Sequence, residues 1–158
     1  MEEAETGRQG LAAIKRFVVL VKSDADTEAG ATPEERSLAE MVAFNDELAN
    51  AGLLLAAEGL HASSDGARIR FAPDAAMVSR GPFPEPDQLI AGYWMIQADS
   101  LEQAIDWMKR APMGGEAEIE IRQVFDAEEF GEAFAPELRE KEEHQRTRME
   151  ANARRRAA

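Results

Sequence analysis

The chain has no cysteine, which removes disulfides, thiolate nucleophiles and cysteine-based zinc sites in one step. Histidine is nearly as scarce, with His61 and His144 alone. No loop has the carboxylate spacing of a calcium or magnesium site, and neither a glycine-rich phosphate loop nor a Ser-His-Asp arrangement stands out. The expectation is therefore no required metal or organic cofactor, and any catalysis would be cofactor-free acid–base chemistry. No apolar run approaches the roughly 20 residues that cross a bilayer. Met1 to Gly10 is polar and acidic, unlike a signal peptide, so the expected location is the cytoplasm, away from membranes. Positive charge is also short: 18 Lys and Arg face 31 Asp and Glu, a formal net charge of −13. Glu137 to Arg156 holds seven basic and five acidic side chains, which leaves eleven against twenty-six, a net of −15, on the rest. Such a surface repels phosphate backbones, and nucleic-acid binding is not expected. The run Arg154-Arg155-Arg156 is too short to reverse this and reads as a solvated helix end.

What is present fits one hydrophobic core, since 158 residues suffice for a single domain with appendages. The pattern divides into a flexible N-terminus at 1–13, an α+β domain at 14–134 and a charged helical arm at 135–158. Phe17-Val18-Val19-Leu20-Val21 reads as a central strand covered on both faces. A polar loop follows. Thr32-Pro33-Glu34-Glu35 then offers an N-cap, a first-turn proline and a capping-box glutamate, so a helix should begin there. Leu38, Met41, Val42 and Leu48 form its apolar stripe, and Gly52 ends it. Leu53 to Ala57 leads as a strand into Glu58-Gly59-Leu60-His61. Arg68 to Phe71 and Met77 to Ser79 make a small hairpin, and Pro82, Pro84 and Pro86 stiffen the loop beyond. Leu89 to Ile96 is a second central strand. Ser100-Leu101-Glu102-Gln103 repeats the capping signature ahead of a stripe of Leu101, Ala104, Ile105 and Met108, and Glu116 to Val124 alternates as a last strand. In the arm, Pro136 is placed to start a helix, with Glu137/Lys141 and Glu142/Arg146 as i, i+4 pairs. The order is a ferredoxin-like βαββαβ with an inserted β-hairpin and a C-terminal helical arm. Two helices cover one sheet face, so a second copy of the chain is expected on the other, giving a homodimer.

Ala57-Glu58-Gly59-Leu60, Gly81-Pro82-Phe83 and Gly92-Tyr93-Trp94-Met95-Ile96, together with Phe44 to Leu48, resemble the YCII-related family in its DGPF-type branch, over roughly residues 17–134. The resemblance implies a ferredoxin-like subunit that dimerises into an α+β barrel. It also implies, through the genomic association of DGPF-type members, a regulatory protein partner such as an extracytoplasmic-function sigma factor. Two places depart from the family. The acid of its Asp-Gly-Pro-Phe motif is Arg80, and the His and Asp associated with catalysis in relatives align with Met41 and Asn50.

Among the residues themselves, Glu58 and His61 are the candidate acid–base pair. His61 is the one histidine inside the fold and lies three residues after Glu58. Glu58 could equally form a structural ion pair with Arg80. Ser79, Arg80 and Tyr93 could join them in a small-molecule corner that recognises an anion, provided the hairpin folds over the sheet. The competing readings place Arg80 in solvent and Phe83 in the core, Trp107 in helix packing or a dimer contact, and His144 in solvent on the arm. Two functions follow: a dimeric small-molecule binder or cofactor-independent enzyme, and a non-catalytic partner of a regulatory protein.

Overall fold

A computed structural model describes residues 13–156; the N-terminal segment at 1–13 lies outside them apart from Ala13. The chain is a mixed α+β structure with antiparallel sheets and a C-terminal helix. Four strands, β1 (Lys15–Lys22), β2 (Leu54–Gly59), β5 (Ile90–Ala98) and β6 (Ile119–Gln123), form one sheet in the order β2-β5-β1-β6. Every neighbouring pair in it is antiparallel. Strands β3 (Ala67–Ala72) and β4 (Ala75–Arg80) pair only with each other, in the hairpin the alternation predicts. Helices α2 (Glu35–Asn50) and α3 (Leu101–Met108) connect β1 to β2 and β5 to β6.

Burial explains the two apolar strands. In β1 and β5 alternate residues are buried, with Phe17, Val19, Trp94 and Ile96 packed against Phe44 and Leu48 of α2 and Ala104 and Met108 of α3. The intervening Val18, Leu20, Tyr93 and Met95 lie on the other face and are half-buried. Within one chain, then, the helices fully bury one face only.

Several boundaries differ from the sequence pattern. Helix α2 begins at Glu35, because Glu34 is extended (φ −68°, ψ 152°) and caps it with no side-chain bond; Thr32 is too far upstream to cap. Strand β6 starts at Ile119, since Gly115 turns the chain with φ +59° and the following residues are spent on that turn. Ser100 caps α3 as expected, accepting from the Gln103 backbone N–H at 3.1 Å, but the Gln103 side chain reaches one residue further back, to Asp99 N–H at 2.7 Å.

The loop after β1 contains a short helix, α1 (Ala25–Glu28), that the sequence reading passed over. Asp24 caps it, its Oδ1 accepting the Thr27 backbone N–H at 2.7 Å. That bond, followed by one from the Thr27 side chain, holds the Asp24 carboxyl below its ordinary pKa. A lowered folded-state pKa means the cap stabilises above the ordinary aspartate value, and the contribution fades as pH falls through the lowered one. Carboxyl-carbon NMR titration should give Asp24 a midpoint below that of an unfolded-chain aspartate; a midpoint at or above it would contradict the cap.

Among the described residues, 125–156 form a compact unit of their own. Phe125, Phe130 and Phe134 stack in sequence, with centroids 5.2 and 6.1 Å apart. Helix α4 (Pro136–Arg156) follows, and Arg139 anchors it by donating to the Phe134 carbonyl at 2.9 Å. Of the expected pairs Glu142–Arg146 forms, and Glu150–Arg154 joins it at 4.0 Å. Leu138 and Met149 stay exposed. Among the described residues no helix is long and apolar enough to cross a membrane.

Candidate functional site

A cavity of about 500 Å³ forms an open cleft between α2, the β2 and β5 end of the sheet, and the loop after α3. Its existence follows from the register. Gly59 lies opposite Gly92 and Ala57 opposite Trp94, so on the helix-facing side the sheet floor carries almost no side chain beyond the indole. A Cβ at Gly59 would meet nothing within 4 Å, whereas one at Gly92 would come within 2.8 Å of the Glu58 carbonyl oxygen. Only glycine fits the second position, and the first opens directly into space. Met41 and Leu38 of α2, Val21 of β1, and Pro112 and Met113 from the loop make the walls apolar.

Polar groups are few. Asn45 of α2 accepts the Trp94 indole N–H through Oδ1 at 2.7 Å, and Trp94 also meets Phe44 edge-on at 6.1 Å. This fixes the indole as one wall, and Asn45 and Ser37 are polar residues among those that line the cleft. A cavity of this volume, mostly apolar with a few convergent polar groups, is the usual form of a small-molecule site. A second cavity of about 310 Å³ lies between α3 and β6 and is lined mainly by Ile105, Met108, Met113, Ile119 and Ile121.

The sequence candidates divide. Glu58 and Tyr93 both border the cleft, and they are cross-strand neighbours. Because Trp94 faces α2, alternation turns Tyr93 and its partner Glu58 to the opposite face, so they give the cleft their main chains. Glu58 is exposed and forms no ion pair with Arg80. His61 is 85% exposed and bonds Asp65 through Nδ1 at 2.8 Å. Ser79 and Arg80 are exposed on β4, and neither borders the cleft. His144 is exposed on α4, and Trp107 stays half-buried beside the core with Arg110 4.7 Å over its ring. Among the described residues no group of three or more His, Asp or Glu side chains is placed to hold a metal ion.

The motif Arg80-Gly81-Pro82-Phe83 instead builds the base of the hairpin. Glu28 accepts from the Ser63 backbone N–H at 3.1 Å and from its hydroxyl at 2.7 Å, while Ser63 Oγ accepts the Phe83 backbone N–H at 2.9 Å. Gly81 donates to the Gly66 carbonyl at 3.0 Å, and Arg68 lies 4.0 Å over the Phe83 ring. Sequence reasoning missed Glu28 and Ser63. Nothing in their spacing, 35 residues apart, signals that they meet.

A family model described as YCII-related domain matches residues 16–128. No curated protein matches the chain.

Proposed function

The chain belongs to the YCII-related domain family, and from that premise we propose that it is a dimeric, ferredoxin-like binding protein that holds a compact, largely apolar small molecule between α2 and the sheet. The order β2-β5-β1-β6, with α2 and α3 as crossovers, supports the ferredoxin-like reading. The half-buried Val18, Leu20, Tyr93 and Met95 support a second copy over the open sheet face, as in an α+β barrel. One observation carries the ligand: the paired glycines Gly59 and Gly92 keep the floor beside Trp94 clear. Binding is favoured over acid–base catalysis because the cleft presents Met41 where relatives are associated with a histidine, and because Glu58 and Tyr93 turn away from it. The ligand is neutral or cationic, since a chain of net charge −13 repels anions.

Trp107→Phe leaves Trp94 as the only tryptophan, and its fluorescence can be titrated with a panel of neutral aromatic alcohols and amides. At least one should bind saturably. Gly59→Ile, which adds bulk where nothing lies within 4 Å, should weaken that binding by about tenfold or more with an unchanged melting temperature, as expected when a side chain occupies the ligand's volume. Saturable binding that Gly59→Ile leaves intact would overturn the cleft assignment.

A further inference from the structure

The β3–β4 hairpin is exposed at every residue. Its register places Ile69 opposite Val78 and Phe71 opposite Ala76, with Ala67 opposite Arg80, all on one face. On that face Ile69 is 56%, Val78 60% and Phe71 81% exposed. A lone two-stranded ribbon with a wet apolar face is marginal in water, yet this one is held firmly at its base through Glu28, Ser63 and Gly81. A rigidly mounted apolar face is preorganised for docking.

Charge indicates the occupant. Residues 67–80 carry Arg68, Arg70 and Arg80 against Asp74, a net of +2, on a chain that is otherwise strongly acidic. Their complement lies on the same unit: α2 exposes Leu38 at 51% and Val42 at 61%, flanked along one helix face by Glu35 and Asp46. Each copy thus carries both halves of one contact, an apolar ribbon bordered by arginine and an apolar helix stripe bordered by carboxylates. A two-fold axis makes the contact twice and closes the assembly.

We propose that the hairpin is a clasp between copies of this chain, with Ile69, Phe71 and Val78 of one copy on the Leu38 and Val42 stripe of α2 in the other, and Arg80 beside Glu35. The clasp rests on the dimer proposed above and adds where the copies grip. In sedimentation equilibrium at low salt, Phe71→Asp should raise the dimer dissociation constant by about 30-fold or more, the scale of a lost aromatic anchor. Arg80→Glu should also weaken the dimer, and adding Glu35→Arg should recover most of the loss. Circular dichroism melts matching the parent chain would show that each variant folds. A parent chain that is monomeric at micromolar concentration would overturn the dimer and the clasp together. A parent dimer that Phe71→Asp leaves unchanged would overturn the clasp alone, as would failure of Glu35→Arg to rescue Arg80→Glu.

Discussion

Gly81→Ala should destabilise the protein by roughly 3 kcal/mol or more, lowering the melting midpoint by about 10 °C. A Cβ at Gly81 would overlap the main-chain carbonyl of Ser63 and crowd the backbone nitrogen of Ser64. These are backbone atoms held by their own bonds, so no flexible side chain can yield. Relief requires the Ser63 turn to move away from the end of β4. That movement breaks the Gly81 bond to Gly66 and the Phe83 bond to Ser63 Oγ, and Glu28 then loses a partner fixed on both its hydroxyl and its amide. Each unmade bond to a partly buried group adds about 1 to 3 kcal/mol. Gly66→Ala is the control, because its Cβ would approach Ser63 no nearer than 3.4 Å. Thermal melts of the two variants check the argument, and a Gly81→Ala protein that melts with the parent would remove it.

How much was legible in the sequence depended on the range of the signal. Strands β1, β2 and β5 follow from short unbroken apolar runs, β6 and the hairpin from local alternation and turn residues, and α3 from its Ser100 cap, all read within about ten residues. The cleft was half legible. Glu58 and Tyr93 were named and do border it, but the facts that Gly59 opposes Gly92 and that Asn45 meets Trp94 49 positions away belong to register and packing. The Glu28 and Ser63 contact is non-local in the same way. Ser79 and Arg80 could join the corner only if the hairpin folded over the sheet, with Arg80 in solvent as the competing reading, and every residue of the β3–β4 ladder is exposed.

The α2 stripe shows the limit most sharply, and it supplies the second large effect. Leu38, Met41, Val42 and Leu48 share helical spacing, yet only Leu48 among them is fully buried, at 0%, while Phe44 at 5% replaces the others in the core. The helix packs on the sheet through its C-terminal half, where Leu48 and Phe44 meet Phe17, Val19 and Ile96. Periodicity finds a face but does not say how far along it the contact extends. Leu48→Ala should therefore cost 2 to 5 kcal/mol, roughly the sum of lost transfer energy and the cavity left among residues that are themselves nearly inaccessible. Leu101, the first apolar residue of the α3 stripe, is 43% exposed; Leu101→Ala should change stability by no more than about 0.5 kcal/mol. Urea unfolding at equal protein concentration, with slopes compared to confirm a common transition, separates the two. If Leu101→Ala proved as damaging as Leu48→Ala, the stripe of α3 would be buried along its whole length, against the graded burial that sets the position of both helices on the sheet.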